Sequence, residues 1–264
     1  MSIEEIISRI LELLKEIERQ HREFAARIRA AVAKFFQEQA QQFEALLNDI
    51  ARRQALVVAE IEKQLAQVGD PVRLHEVGVT WSKSVGAEAS KTGGNFDLNT
   101  LLTDDEWSGI AADAYKGLVP SQKTALDAIK TVADKIQVVL DDAATALVVA
   151  WAAVVGAVAS FVSKIVAAAV TAATGVGAPA AIGIAIGAVT EFGGLITAIF
   201  TALATYLKDT VIPSTRTLNQ TLTDNSAFPG GSWPTTTSTL DDSSFSDVEE
   251  NEDESHINWH MRRA

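Results

Sequence analysis

The sequence predicts an all-α protein: an elongated bundle of helical hairpins with a long N-terminal amphipathic helix and a disordered acidic tail. Two observations lead to this fold class. Apolar residues recur at alternating intervals of three and four through the first 65 positions, as an amphipathic helix or a coiled-coil seam requires. Alanine fills much of the apolar share while aromatic residues make up only 6% of the chain, which favours closely packed helices over a sheet.

Residues 1–68 are predicted to form one long, coiled-coil-like helix, because no glycine or proline occurs before Gly69. At about 1.5 Å per residue such a helix approaches a length of roughly 100 Å, so a bend or a break somewhere along it is also anticipated. A helix of this length cannot bury its apolar stripe alone, so we expect a helical partner within the chain or between chains. His21 falls on the seam, where we interpret it as a polar residue of a helix interface.

Residues 69–145 are predicted to form a second unit, a helical hairpin. Asp70 is a plausible N-cap and Pro71 suits the first helical turn, so a helix is expected to begin here and to run to about Ala89. A glycine-rich loop follows, and the next helix is expected to start near Trp107. Pro120 should kink or restart that helix, because proline lacks a backbone donor and clashes with the preceding turn.

Residues 146–212 are predicted to form an apolar hairpin rich in alanine and glycine. A turn is expected at Gly175, Gly177 and Pro179, within "ATGVGAPAA". Gly183 and Gly187 have the small-xxx-small spacing that permits close approach of another helix.

The apolar hairpin has two alternative interpretations. It is either the core of a soluble bundle or a segment that inserts into a bilayer, since its uncharged stretches exceed the roughly 20 residues of a spanning helix. Alanine and glycine drive insertion only weakly. Lys164 and Glu191 are the only charged residues from 143 to 206, and they either pair across the two arms or mark a level near water. The uncharged tip between them is the part expected to enter a bilayer.

Residues 213–264 are predicted to be a disordered tail, because their Ser/Thr-rich and acidic composition cannot support a core. The net charge of −12 argues against nucleic acid as a partner, since phosphate binding needs a basic face. Cysteine is absent, which excludes disulfides and thiolate metal sites. The N-terminus lacks the basic start, apolar core and cleavage site of a secretory signal peptide.

No enzyme, cofactor or metal site is predicted. The apolar half of the chain offers almost no convergent polar groups, and the glycines of "GVGAPAAIGIAIG" do not form a dinucleotide fingerprint. His256 and His260 have the spacing of a metal pair on a helix, but no third ligand is evident. The acids of "TDDE" precede a helix N-terminus, where negative charge is favourable.

The most specific motif is the Trp-Ser-Gly corner of "TDDEWSGIAADAYKGL". A tryptophan ring plugs the end of a helical hairpin well, and glycine lets the chain turn closely beneath it. Over residues 69–145 the chain resembles the WXG superfamily of type VII (ESX) secretion substrates, with Trp107, Gly109, Ala112 and Tyr115 on the motif positions. The resemblance implies helical hairpins that pair into four-helix bundles, and export in folded form without a cleaved signal peptide.

Two features depart from the family pattern. About 66 residues precede the hairpin, whereas family members have short N-terminal helices. The usual export signal is a tyrosine followed by an acid four positions later. The residues four positions after Tyr115 and Tyr206 are Val119 and Thr210, so neither tyrosine matches.

These observations predict a non-enzymatic helical protein exported by, or associated with, a type VII secretion system. It would pair through its helices with another helical protein or with itself, and would also contact the secretion machinery. We expect it to be secreted or located in the cell envelope. The alternative is a membrane-active or pore-forming protein that inserts the apolar hairpin 143–206 into a bilayer.

Overall fold

The computed structural model describes residues 3–67, 69–98, 107–108, 110–235 and 260–261. Those residues are almost entirely helical, which confirms the predicted fold class. The chain divides into two compact units. The first contains Met1–Leu74 and Asp142–Val211, and the second contains His75–Asp141 and Ile212–Ala264.

Seven α-helices account for most of the described residues. In chain order they are α1 (Ile3–Phe35), α2 (Ala40–Leu65), α3 (Pro71–Trp81), α4 (Ala87–Asn95), α5 (Ile110–Ala172), α6 (Ala178–Tyr206) and α7 (Ile212–Thr223). Short 3-10 turns lie at Gln37–Gln39 and Pro229–Gly231, and π-helical turns lie at Ser82–Gly86 and Leu207–Val211. Two-residue strands, β1 (Trp107–Ser108) and β2 (His260–Met261), pair antiparallel.

The N-terminal segment is two helices, whereas the sequence predicted a single helix over residues 1–68. The chain leaves helical geometry at Phe36, where φ is −137° and ψ is 36°. It then reverses, and α1 packs against α2. Arg29 and Glu44 form an ion pair close to this turn, with 2.7 Å between Nε and Oε1. The reversal lets each apolar stripe cover the other, so part of the partner that the long helix needed comes from its own chain.

The first unit has one core, built from α1, α2, α6 and the α5 residues from Asp142 onward. Its largest fully buried side chains are phenylalanines and branched aliphatics: Phe24, Phe161, Phe192, Ile6, Ile10, Ile17, Ile28, Ile50, Ile61, Ile165 and Val154. Arg27 Nη1 donates a hydrogen bond to the Ala169 carbonyl at 3.2 Å. Phe35 lies against Gly175, so the turns of both hairpins are at the same end of this unit.

The second unit contains α3 from His75 onward, α4, α7 and the α5 residues up to Asp141. The Asp70 cap ahead of α3 is confirmed, since Asp70 Oδ1 accepts a hydrogen bond from the Arg73 amide at 2.8 Å. The first helical arm was predicted to end near Ala89. It includes a π-helical turn at Ser82–Gly86 and continues to Asn95. α5 also runs through Pro120 without interruption. The predicted restart at Pro120 therefore does not occur, and the predicted kink stays a prediction.

The segment predicted to be a disordered tail begins as a helix. α7 covers Ile212–Thr223, and Lys135 Nζ donates to Thr221 Oγ1 at 2.7 Å. The composition explains the difference, because residues 213–223 carry only one charge, Arg216, and the acidic run starts at Asp224. Residues 236–259 and 262–264 of the predicted tail lie outside the described residues, so their disorder stays a prediction.

Candidate functional site

The Trp-Ser-Gly corner connects two arms of a helical hairpin in the second unit. Glycines of the first arm lie against successive turns of α5: Gly78 against Gln137, Gly86 against Ala133 and Gly93 against Leu126. Because the residue numbers rise in one arm while they fall in the other, the arms are antiparallel. A Cβ at Gly78 would lie 3.2 Å from the Gln137 Cα, so glycine is what permits this close backbone approach.

The motif residues lie where the second arm begins. The backbone of Trp107 and Ser108 pairs with Met261 and His260, and α5 starts at Ile110. Ala112 is fully buried and Tyr115 is half-buried. Gly109 and the Trp107 side chain lie outside the described residues, so the plugging role of the tryptophan stays a prediction.

Polar contacts in this hairpin join one arm to the other. Asp134 accepts a hydrogen bond from Ser82 of the first arm at 3.3 Å, and it is also bonded to Lys130 of its own helix at 2.6 Å. His75 Nδ1 and Asp141 Oδ1 are 2.8 Å apart. Groups of three or more potential metal ligands do not occur among the described residues. These contacts fix the register of the arms and do not converge on a cleft.

The turn of the apolar hairpin lies at the three predicted residues. Gly175 has a φ of +77°, a conformation that favours glycine, and Gly177 precedes the first residue of α6. The Gly177 amide donates to Thr174 Oγ1 at 3.1 Å, and Pro179 occupies the first turn of α6, where its missing donor is not needed.

The inward face of this hairpin packs in the core. The rings of Phe161 and Phe192 stack with centroids 4.5 Å apart and an angle of 9° between their planes. Trp151 and Phe200 meet edge to face at 5.8 Å. Lys164 Nζ forms an ion pair with Glu191 Oε2 across the two arms, so the pairing alternative from the sequence is confirmed.

The outward face of the hairpin is uncharged apart from that ion pair. Gly183 and Gly187 lie on it, and a Cβ added to either would meet no atom within 4 Å. Within the described part of the chain, the small-xxx-small pair therefore faces solvent. Its role in close packing with a helix of another molecule stays a prediction.

Two helical segments are long and apolar enough to cross a membrane: Ala112–Ala172 and Ala178–Thr223. A third of the residues in the most apolar window of each is buried. The criterion uses only the length and composition of a helix, so the core helices of soluble bundles satisfy it as well.

Two polar side chains, half-buried His21 and buried Gln54, meet between α1 and α2, and the sequence analysis placed only His21 on this seam. His21 and Gln54 face each other in the seam, and among the described residues neither His21 Nδ1 nor Gln54 Oε1 has a well-formed hydrogen bond. Burial lowers the pKa of His21, the Gln54 side chain acts in the opposite direction, and the charge of Arg29 adds to the lowering. Gln54 continues the spacing of Leu47 and Ile50, and this periodicity was the signal available in the sequence.

No family model, curated protein or solved structure matches this chain. The interpretation of its function therefore depends on its own residues and geometry.

Proposed function

We propose that the protein is a non-enzymatic member of the WXG superfamily, exported by or associated with a type VII secretion system, that acts by pairing its helices with a helical partner or a second copy. The observation that supports this most directly is the antiparallel hairpin of the second unit. Its Trp-Ser-Gly sequence occupies the connection, at the start of the second arm, as the family pattern requires.

Apolar side chains on this hairpin supply surface for pairing. Trp81 and Val138 are exposed although both are large and apolar. Trp81 also lines a groove of about 280 Å³ together with Ile129, Val132 and Phe228. Apolar grooves between helices accept the side chains of an added amphipathic helix, and this groove provides such a surface within the second unit.

The proposal is tested by following the full chain into cytosol, membrane and culture medium in a host with an active or inactivated type VII system. Wild-type protein should reach the medium only when the system is active. Trp107→Ala should abolish export, and Trp233→Ala, a tryptophan outside the motif, should not. Export that is independent of the system, or equal export of both variants, would contradict the proposal.

A second candidate function is membrane association through the apolar hairpin. The specific observation in its favour is the outward face of residues 143–206, which presents alanine, glycine, threonine and valine and only one ion pair. A soluble helix ordinarily places charged residues on its outer side. Flotation of the purified protein with phosphatidylcholine vesicles tests this candidate. A protein that stays monodisperse without detergent and never floats would rule it out.

A further inference from the structure

We propose that the end of the first unit where both hairpin turns meet is a composite membrane-docking tip that enters a single leaflet of a zwitterionic bilayer while the bundle stays folded. The tip comprises Phe35 at the end of α1, Val170 near the end of α5 and Val176 in the turn before α6. This inference rests on the membrane candidate and adds the site and the depth of contact.

The first argument is the exposure of large apolar side chains at this end. Phe35 is 47% exposed, Val170 is 60% exposed and Val176 is 70% exposed. Phe35 belongs to the N-terminal hairpin and the two valines belong to the apolar hairpin, so both hairpins contribute. Clustered apolar side chains at the end of a bundle are an unfavourable surface in water and a favourable one against lipid.

The second argument is that the two turns form one surface. A Cβ at Gly175 would lie 2.4 Å from Phe35 Cε2, so the aromatic ring rests directly on the turn. Lys34 Nζ lies 5.0 Å from the centroid of the same ring. An aromatic ring beside a lysine is a frequent arrangement at the level of lipid headgroups, where the ring enters the interface and the ammonium remains hydrated.

The third argument is the length of the uncharged segment. No charged residue lies between Lys164 and Glu191. At roughly 1.5 Å per residue, the helix length from Lys164 to the end of α5 is about 12 Å, and the helix length from the start of α6 to Glu191 is about 20 Å. The hydrocarbon of one leaflet is about 15 Å thick, half of the bilayer core. Even insertion down to the ion pair would stay within one leaflet, so the tip is too short to span. The N-terminal hairpin limits the depth further, because Arg27 Nη1 donates to the Ala169 carbonyl at 3.2 Å and Arg29 pairs with Glu44 close to the turn. With these charges at headgroup level, only the last turns of the helices enter the hydrocarbon.

The net charge of the chain indicates which lipid headgroups the tip should bind. The chain carries a net charge of −12, so an anionic surface would repel it at long range. The apolar turn of the tip is uncharged, and the neighbouring turn carries one base, Lys34, and one acid, Glu38, which offset each other. The attraction to lipid is therefore hydrophobic and requires no anionic headgroup. We therefore expect binding to pure phosphatidylcholine vesicles that changes little with salt.

The experiment uses single cysteines introduced into the full chain, which has none of its own. An environment-sensitive fluorophore is attached at Val170→Cys, Val176→Cys or, as the matched control, Val149→Cys. Val149 is also exposed, at 63%, on the same hairpin, but it lies about 35 Å from the turn at roughly 1.5 Å per residue. With phosphatidylcholine vesicles, the labels at 170 and 176 should become protected from a water-soluble quencher, and the label at 149 should not.

Charge substitutions provide the second measurement. Val176→Asp should weaken vesicle binding about tenfold or more, because burying an aspartate in hydrocarbon is costly, and Val149→Asp should leave binding unchanged. Circular dichroism of both variants should match that of the wild type, since each side chain is exposed. Entrapped dye should stay inside the vesicles, because the tip does not span.

The outcomes separate this inference from the membrane candidate. Protection of the label at 149 together with dye release would show that the whole hairpin inserts. That result would overturn the proposal that only the tip inserts, and it would support membrane association. If Val176→Asp leaves vesicle binding unaffected, the proposal that the tip enters the bilayer is also overturned. Wild-type protein that binds no vesicle of any composition would overturn both.

Discussion

Replacing Phe192 by alanine should destabilise the first unit more than almost any other single truncation. Phe192 is buried in the core and stacks on Phe161 of the facing arm at 4.5 Å. Truncation of a buried phenylalanine to alanine costs about 3–5 kcal/mol, because the transfer free energy of the ring is lost and a cavity remains. In a folding unit of this size, each kcal/mol lowers Tm by about 2–4 °C. The expected decrease in Tm is therefore roughly 6–20 °C.

The assay is thermal and urea unfolding of the full chain in detergent-free buffer, followed by circular dichroism. Leu195→Ala is the matched control, because Leu195 lies one turn further along α6 and is exposed. It should change the free energy of unfolding by less than about 0.5 kcal/mol. The double variant with Phe161→Ala should cost less than the sum of the two single changes, since stacked aromatic pairs contribute about 0.5–1.5 kcal/mol beyond their buried area.

A loss below about 1 kcal/mol for Phe192→Ala would refute this reasoning. It would mean that the two arms of the apolar hairpin do not pack face to face in water. The core of the first unit would then need a different account, and membrane insertion would become the stronger explanation of this segment.

The other predictions concern pH, backbone geometry and the C-terminal segment. Because burial lowers the pKa of His21 below its unfolded value of about 6.5, its contribution to stability is complete above that pH and is lost as pH falls through the folded pKa. His21→Leu should remove this loss in a titration of Tm at pH values below 6.5. Gly175→Ala should cost about 1–3 kcal/mol, because its φ is positive and the new Cβ meets Phe35, while Gly183→Ala, in open space, should stabilise the helix by up to about 1 kcal/mol. Deleting residues 236–264 should lower Tm only slightly, because of the described residues it removes just the two-residue strand β2, whereas deleting 224–264 should lower Tm by several degrees, because Ala227 and Pro234 are buried.

The features that the sequence predicted well are those set by local chemistry. The Asp70 cap, the Gly175 turn and the apolar seam of α1 and α2 each depend on neighbours a few residues away. The Lys164–Glu191 pair was also anticipated, because an antiparallel hairpin with a known turn fixes which residues lie opposite each other. Local rules were sufficient in these cases because tertiary packing reinforced them.

The features that were missed depend on long-range contacts. Phe36 carries no turn signal, and the chain breaks there because folding α1 onto α2 buries both stripes. The helix does not restart at Pro120, although a restart was one of the two predicted outcomes, and the predicted kink there stays a prediction. The pairing of β1 with β2 joins segments some 150 residues apart, and no periodicity in either could have indicated it.

The exteriors of the two hairpins in the first unit differ in a way that core packing does not explain. Between residues 3 and 65 the chain carries 21 charged residues, many of them paired along one helix or across the turn, as in Arg29–Glu44. The apolar hairpin contributes a comparable length of helix to the same core with two charged residues. Solubility alone would favour charge on both outer faces, and charge there would not disturb the stacked phenylalanines inside. We attribute the difference to the proposed contact of this outer face with lipid or with another helix, because such contact would disfavour charge where core packing does not.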